Sequence, residues 1–297
     1  MNTLPDALPQ LAVGTHQRGT GKACIMNAIS YLNGDSKITD LPSCTDPVLA
    51  TLAQMVNDSL CRHRLGDLLC SDCSHVMWRL GVRLIGTADR AGAADSRENW
   101  LSWLRVCHAA IEVRRDFTDR HYIDQYPGGR NACTALGEYL RTGELPHPGP
   151  ALGLIVTHIK IGVEWGKLSP LTAWKTLIEE EISRVKGVLS RSPGQMPTGI
   201  YPLLEALHET FKLVEAAESV GQRGWSKQSS MSLWRTEKLR AVLHAALYAL
   251  PGQHAERGFE AVLDAFEREF GAADAAPDPS RLVVLQDEIN GQAVRAR

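Results

Sequence analysis

Apolar residues recur every three to four positions along most of this chain, and that spacing constrains it to helices more than anything else does. After Asp46-Pro47, the residues Val48, Leu49, Leu52, Met55, Val56 and Leu60 share one helical face. The pair itself is a start signal, because Asp caps a helix and proline is favoured at its first position. Beyond Gly66 a second pattern joins Leu69, Cys73, Val76, Met77 and Leu80. A third runs from Glu98 to about Val113 and carries Trp100, Leu101, Leu104, Ala109 and Ile111. Four longer patterns follow at 170–189, 201–221, 230–250 and 254–270, the first opened by Ser169-Pro170 and the third closed by Pro251-Gly252. Shorter helices are expected at 22–32, stopped by Asn33-Gly34, and at 131–141, after a turn at Tyr126-Pro127-Gly128-Gly129. The expected fold is mainly α, with an N-terminal part of short helices followed by a C-terminal helical bundle.

The punctuation suggests four regions. Residues 1–19 read as a flexible start, 20–145 as a cysteine-rich helical domain, 154–272 as the bundle and 273–297 as a polar tail. The break is expected in GELPHPGPALG (143–153), which packs three prolines and three glycines into eleven residues. Directly after it, LIVTHIKIGV (154–163) alternates loosely and is the best strand candidate. Two charge runs, RRDFTDRH after the third helix and Glu179-Glu180-Glu181, read as solvated faces.

Length and charge bound the function. A chain of 297 residues can bury one large core or two modest ones. A net charge of −2 and a pI near 6.6 exclude whole-chain attraction to nucleic acid or anionic membranes. No run of about 18 apolar residues is present, so no membrane helix or membrane partner is expected. The N-terminus lacks a basic segment followed by an apolar one. The seven cysteines, none after Cys133, then read as reduced thiols in a cytoplasmic protein.

Chemistry concentrates around the thiols. Cys61, His63, Cys70, Cys73 and His75 fall within fifteen residues. Zinc takes four such ligands, but a structural site presents its C-x2-C pair on a tight turn with a second pair elsewhere. Here Cys70 and Cys73 sit inside a helical pattern, so the expectation is packing thiols with no metal and no cofactor; Cys61, His63, Cys70 and Cys73 are the ligands if a metal is held. Cys24 follows GTGK at a helix start, where the local field lowers a thiol pKa. Cys24, with Cys44 just before the Asp46-Pro47 start and a histidine such as His16, makes a candidate thiol-enzyme pocket. GTGK fails as a phosphate loop, since Thr20 stands where its lysine belongs, and His208-Glu209 fails as a zincin motif at Lys212.

One stretch suggests a polyanion. RGWSKQSSMSLWRTEKLR (223–240) sets Arg223, Lys227, Arg235, Lys238 and Arg240 against the single acid Glu237, with Trp225 and Trp234 interleaved. Basic side chains neutralise phosphates and indoles stack on bases. Arg223, Trp225, Lys227, Arg235 and Lys238 are therefore the candidate nucleic-acid contacts. The bland reading of the same helix is core packing through Leu233, Val242, Leu243, Ala246 and Leu247.

A cysteine-led short helix at Cys24, the element Asp40-x-Pro42-x-Cys44-x-x-Pro47, the pair Asn57-Asp58 and Leu84-x-Gly86-Thr87 together resemble a pattern in uncharacterised proteins of actinobacteria and bacteriophages. The resemblance spans roughly residues 20–110. It implies no activity, and its pattern does not feature cysteines at 70 and 73. The function expected is an intracellular binding or assembly protein contacting a protein or nucleic-acid partner. The alternative is a thiol-dependent or small-molecule-processing enzyme with a pocket near Cys24 and Cys44.

Overall fold

The computed structural model describes residues 8–14, 22–63, 66–88, 90–91, 96–119, 127–148, 168–191, 199–219 and 228–272. The protein is mainly helical, with nine α-helices among the described residues and no strand beyond an isolated bridge between Ala12 and Leu68. Its contacts form two compact units: Met1–Ala93 with Pro251–Arg297, and Ala94–Leu250. This division differs from the expected 20–145 and 154–272. The helices at 97–119 and 127–142 pack with those of the second unit, while the last helix belongs with the N-terminal ones. The 154–163 strand candidate, the 1–7 start and the 273–297 tail lie outside the described residues.

The first unit holds α1 (Ile25–Asn33), α2 (Pro47–Leu60), α3 (Ser71–Gly81, continued by a 3-10 turn at Val82–Leu84) and a last helix, Gly252–Phe270. Local chemistry sets their ends. The Asp46 carboxylate accepts the amides of Val48 (2.8 Å) and Leu49 (3.2 Å), as the Asp-Pro signal requires. Gly34 stops α1 in the left-handed region (φ 79°), where a residue without Cβ is strain-free. Residues 9–13 lie between the helices. Leu69 N–H donates to the Leu11 carbonyl (2.9 Å), Val13 N–H to Asp67 (2.8 Å), and the Trp78 indole to Pro9 (2.8 Å). The Gly252–Phe270 helix carries an acidic stripe at helical spacing, and two arginines answer it. Arg79 bonds Glu256 (2.9 Å) and Glu260 (2.6 Å), while Arg83 holds Glu267 through two 2.8 Å bonds and Asp264 at 2.7 Å.

The second unit holds α4 (Arg97–Asp119), α5 (Pro127–Thr142), α6 (Pro170–Arg191), α7 (Ile200–Ser219) and α8 (Gln228–Leu247); the Gly252–Phe270 helix is α9. α7 is the central helix and packs against α4, α5, α6 and α8. Accordingly its apolar residues cover more than one face, among them Leu203, Ala206, Leu207, Phe211, Leu213 and Val214. Trp174 of α6 stacks on Phe211 with centroids 6.3 Å apart.

Three readings need correction here. RRDFTDRH is not a solvated run in its described part: α4 continues to Asp119, with Arg114 and Thr118 both 0% exposed. Glu181 is buried, not solvated, and accepts the Gly128 amide at 3.0 Å. That bond explains the third difference. Pro127-Gly128-Gly129 is the first turn of α5 and not a turn before it, because a carboxylate from α6 satisfies an amide that a helix start leaves free. A Cβ on Gly128 would sit 2.6 Å from the Glu181 carboxylate oxygen, so a larger residue there would push the carboxylate off the amide it accepts.

Candidate functional site

The two cysteines expected to form a pocket are both structural in their surroundings. Cys24 is the N-cap of α1 and its sulfur accepts the Asn27 amide at 3.5 Å. The thiol is fully buried and points at the Asn27 side chain (3.2 Å), which itself donates to Asp40 at 2.8 Å. Burial pushes the Cys24 thiol up to about 12, outweighing the amides of the helix start. The expected depression by the α1 N-terminus is therefore reversed, because desolvation penalises a buried thiolate more than a few N–H groups stabilise it. Cys44 is half-buried, and burial raises its pKa too. Its carbonyl accepts Gly86 (2.8 Å) and Ala88 (3.3 Å). His16 lies outside the described residues.

The residues Asn57, Asp58 and Thr87, singled out in the sequence for that resemblance, act as braces of the first unit. Asn57 is buried, its carbonyl oxygen accepting Ile25 N–H (3.4 Å) and its amide donating to the Ala12 carbonyl (2.8 Å). Asp58 accepts Gly14 N–H at 2.8 Å. The Thr87 hydroxyl accepts the Asp46 amide (2.8 Å) and donates to the Leu84 carbonyl (2.7 Å).

A different set of thiols does converge. The sulfurs of Cys61, Cys70 and Cys73 all lie within 4.8 Å of one another. Cys61 ends α2, Cys70 is the N-cap of α3, and Cys73 sits in the first turn of α3. The helix begins two residues later than its apolar pattern suggests, so Cys70 and Cys73 straddle its start instead of lying within it. Cys61 is buried and the other two are half-buried. The Cys70 amide points at the Cys61 sulfur (3.3 Å). Burial, together with the sulfurs of Cys70 and Cys61, pushes Cys73 up to about 12, whereas the amide and thiol of Cys73 hold Cys70 below the usual thiol range. His63 and His75 are exposed and outside the cluster.

In the second unit α6, α7 and α8 enclose a trough of about 870 Å³. Each helix lines it with one stripe: Glu179, Ile182, Ser183 and Lys186 from α6; Tyr201, Pro202, Glu205, His208 and Glu209 from the floor helix α7; Lys238, Ala241, His244, Ala245 and Tyr248 along α8 and just past its end. The stripes repeat at three or four residues over two to three turns, or roughly 10–15 Å. Tyr248 is 55% exposed and stacks on His244 with centroids 5.2 Å apart. Charges across the trough are answered locally. His208 meets Glu179 at 3.0 Å, Lys238 meets Glu209 at 2.8 Å, and Lys186 lies over the Tyr201 ring at 5.6 Å. Burial alone would raise the Glu209 carboxyl; hydrogen bonds from Lys212 and Lys238 outweigh it and hold the group low.

Of the expected nucleic-acid contacts, Arg223, Trp225 and Lys227 lie outside the described residues. Arg235 is buried, its guanidinium 5.9 Å from the Trp100 ring and bonded to Asn99 at 3.3 Å. Trp234 packs on Trp100 at 6.0 Å. Of the described residues of this group, Lys238 reaches the trough, and it arrives paired with Glu209. The signal for the trough is present in the sequence of α8. Leu239, Val242, Leu243, Ala246 and Leu247 form its buried stripe. Ala241, Ala245 and Tyr248 form a second stripe, too many small and apolar residues for a solvated face.

Comparison with known protein families, with curated proteins and with solved structures found no match.

Proposed function

We propose that this is a cytoplasmic, helical binding or assembly protein of bacterial or phage type, whose second unit takes a helical segment of a partner protein into the α6–α7–α8 trough. The observation that carries the reading is the α8 stripe. Tyr248 offers an exposed aromatic anchor beside Ala241 and Ala245, which are small enough to let another backbone approach. Aromatic anchors next to tightly packed small surfaces are where interface energy concentrates. The trough's length, two to three turns, matches one stripe of a packed helix seated as a ridge in a groove.

Charge favours protein over nucleic acid. Three glutamates face two lysines and two histidines in the trough, and Lys238 and His208 are already engaged by acids. A phosphate backbone needs a surplus of free cations, while a protein segment of mixed charge does not. The enzyme alternative draws no support from Cys24, which is sealed from solvent and held protonated. Among the described residues no helix is long and apolar enough to cross a membrane. All seven thiols are free of disulfides, which fits a reducing compartment.

The test is site-specific photo-crosslinking in the native host with a photoreactive residue at position 245. A recovered partner segment, made as a peptide, should bind the purified protein and lose at least tenfold in affinity against Ala245→Glu and Tyr248→Ala. Both variants should keep the helical content and melting temperature of the parent. Salt-steep binding of single- or double-stranded nucleic acid, unchanged in Ala245→Glu, would reject the protein partner in favour of a phosphate backbone.

A further inference from the structure

We propose that Cys61, Cys70 and Cys73 form a binding site for a thiophilic cation, zinc in the cell, with a fourth position open to water. This departs from the expectation drawn from spacing alone, which put Cys70 and Cys73 inside a helical pattern as packing thiols with no metal. Three sulfurs lie within 4.8 Å of one another. Around zinc, with Zn–S near 2.3 Å, tetrahedral thiolates stand about 3.8 Å apart. The cluster thus needs a contraction of about 1 Å or less, within the reach of χ1 adjustments.

The backbone around the site is fixed. Leu69, next to Cys70, donates to the Leu11 carbonyl at 2.9 Å, and Leu68 pairs with Ala12. One turn into α3, Ser74 accepts the Leu11 amide at 2.8 Å. The same short segment therefore pins both sides of the Cys70–Cys73 pair. Cys61 is brought in by the end of α2. The Cys70 amide aimed at the Cys61 sulfur (3.3 Å) is the kind of outer hydrogen bond that orients a thiolate ligand and disperses its charge. Three thiolates with Zn²⁺ carry one net negative charge, which suits the positive end of α3.

The ligand set selects the ion. Thiolates favour zinc and cuprous copper over magnesium, calcium or manganese. Three protein ligands also leave a coordination position vacant, as in zinc sites that bind an exchangeable molecule. The half-buried Cys70 and Cys73 give that position its route to solvent. A disulfide between two of the three thiols is the competing state, and it excludes the metal.

The experiment titrates the reduced, metal-free full chain with Co²⁺ as an optical stand-in for zinc. The expected result is thiolate-to-cobalt charge transfer with tetrahedral d–d bands, saturating at one ion per chain and bleached by one equivalent of Zn²⁺. Cys61→Ser, Cys70→Ser and Cys73→Ser should each weaken binding at least roughly tenfold, and Cys44→Ser should leave it unchanged. Because a serine variant can fail to fold, the parent protein supplies a second readout. Zinc should protect Cys61, Cys70 and Cys73 from iodoacetamide, mapped by peptide mass spectrometry, and leave Cys44 labelling as before. Absence of the charge-transfer band at one equivalent, protection that ignores these three thiols, or a disulfide among them in protein kept under reductant each overturns the proposal.

Discussion

Arg114, deep in α4, holds the end of α8 by donating from Nη2 to the carbonyl of Tyr248. Its Nε donates to the Ala246 carbonyl at 2.7 Å, and the side chain is fully buried beside Phe117. The last carbonyls of a helix have no partner within it and carry partial negative charge, so a cation there is doubly favourable. Burial lowers the Arg114 pKa to about 10, which leaves it cationic at neutral pH. The same contact fixes where Tyr248 stands at the mouth of the trough.

Replacing Arg114 by Met should therefore cost about 2–3 kcal/mol in urea unfolding, since a buried carbonyl and a part-buried one at the end of α8 lose their donor. Arg114→Lys should recover only part, because an ammonium cannot fork to both. Tyr248→Ala leaves the carbonyl in place and removes an exposed ring, so its stability should stay within about 0.5 kcal/mol of the parent. A large loss in Tyr248→Ala would mean that the ring is core and not a docking anchor.

Two glycines in helices of the second unit should respond oppositely to alanine. A Cβ at Gly128 would meet the Glu181 carboxylate at 2.6 Å, and Gly128→Ala should destabilise by about 1–3 kcal/mol. At Gly187, one turn before the C-terminal end of α6, the nearest atom would be the Arg191 guanidinium at 3.8 Å. Gly187→Ala should stabilise by about 0.5–1 kcal/mol through helix propensity. Thermal melts of the two variants decide it.

Acid should act on the second unit through carboxylates of opposite character. Burial alone would raise Glu218; hydrogen bonds from Tyr139 and Arg97 outweigh it and hold the group below its ordinary pKa, as Lys212 and Lys238 do for Glu209. Their stabilisation is complete above the unfolded carboxyl pKa of about 4.3 and is lost as pH falls through the folded values. Glu181 is raised by burial, against the pull of the Gly128 amide and Arg184. Its contribution runs the other way: it favours the fold below the unfolded pKa and fades as pH rises through the folded one. Stability measured from pH 3 to 7 should fall less steeply toward acid in Glu209→Gln and Glu218→Gln, and more steeply in Glu181→Gln. Parallel curves for all four proteins would contradict these assignments.

Cys24 should be slow to alkylate. It is fully buried with its thiol pushed up to about 12, whereas Cys44 is half-buried. Iodoacetamide at pH 8 should label Cys44 well before Cys24, followed by peptide mapping. Cys24→Ala should cost about 1 kcal/mol as a lost helix cap. Faster labelling of Cys24 than of Cys44 would restore it as a nucleophile.

The sequence by itself determined the helices and most of their ends, because those depend on neighbours within a turn. Asp46-Pro47 caps α2, Ser169 accepts the Thr172 amide at 3.2 Å to start α6, and Gly34 ends α1, each by chemistry confined to a few residues. The second apolar stripe of α8 was also there to be read in Ala241, Ala245 and Tyr248. What the tertiary structure alone decided is every case in which a polar residue meets a partner far along the chain. Arg114 and Glu181 look like solvated charges until α8 and the start of α5 supply carbonyls and an amide for them to bind. Cys61 joins Cys70 and Cys73 only once residues 9–13 have fixed the start of α3. Burial of a charge or the meeting of three thiols depends on loop closure and packing between distant segments, and no local periodicity encodes those.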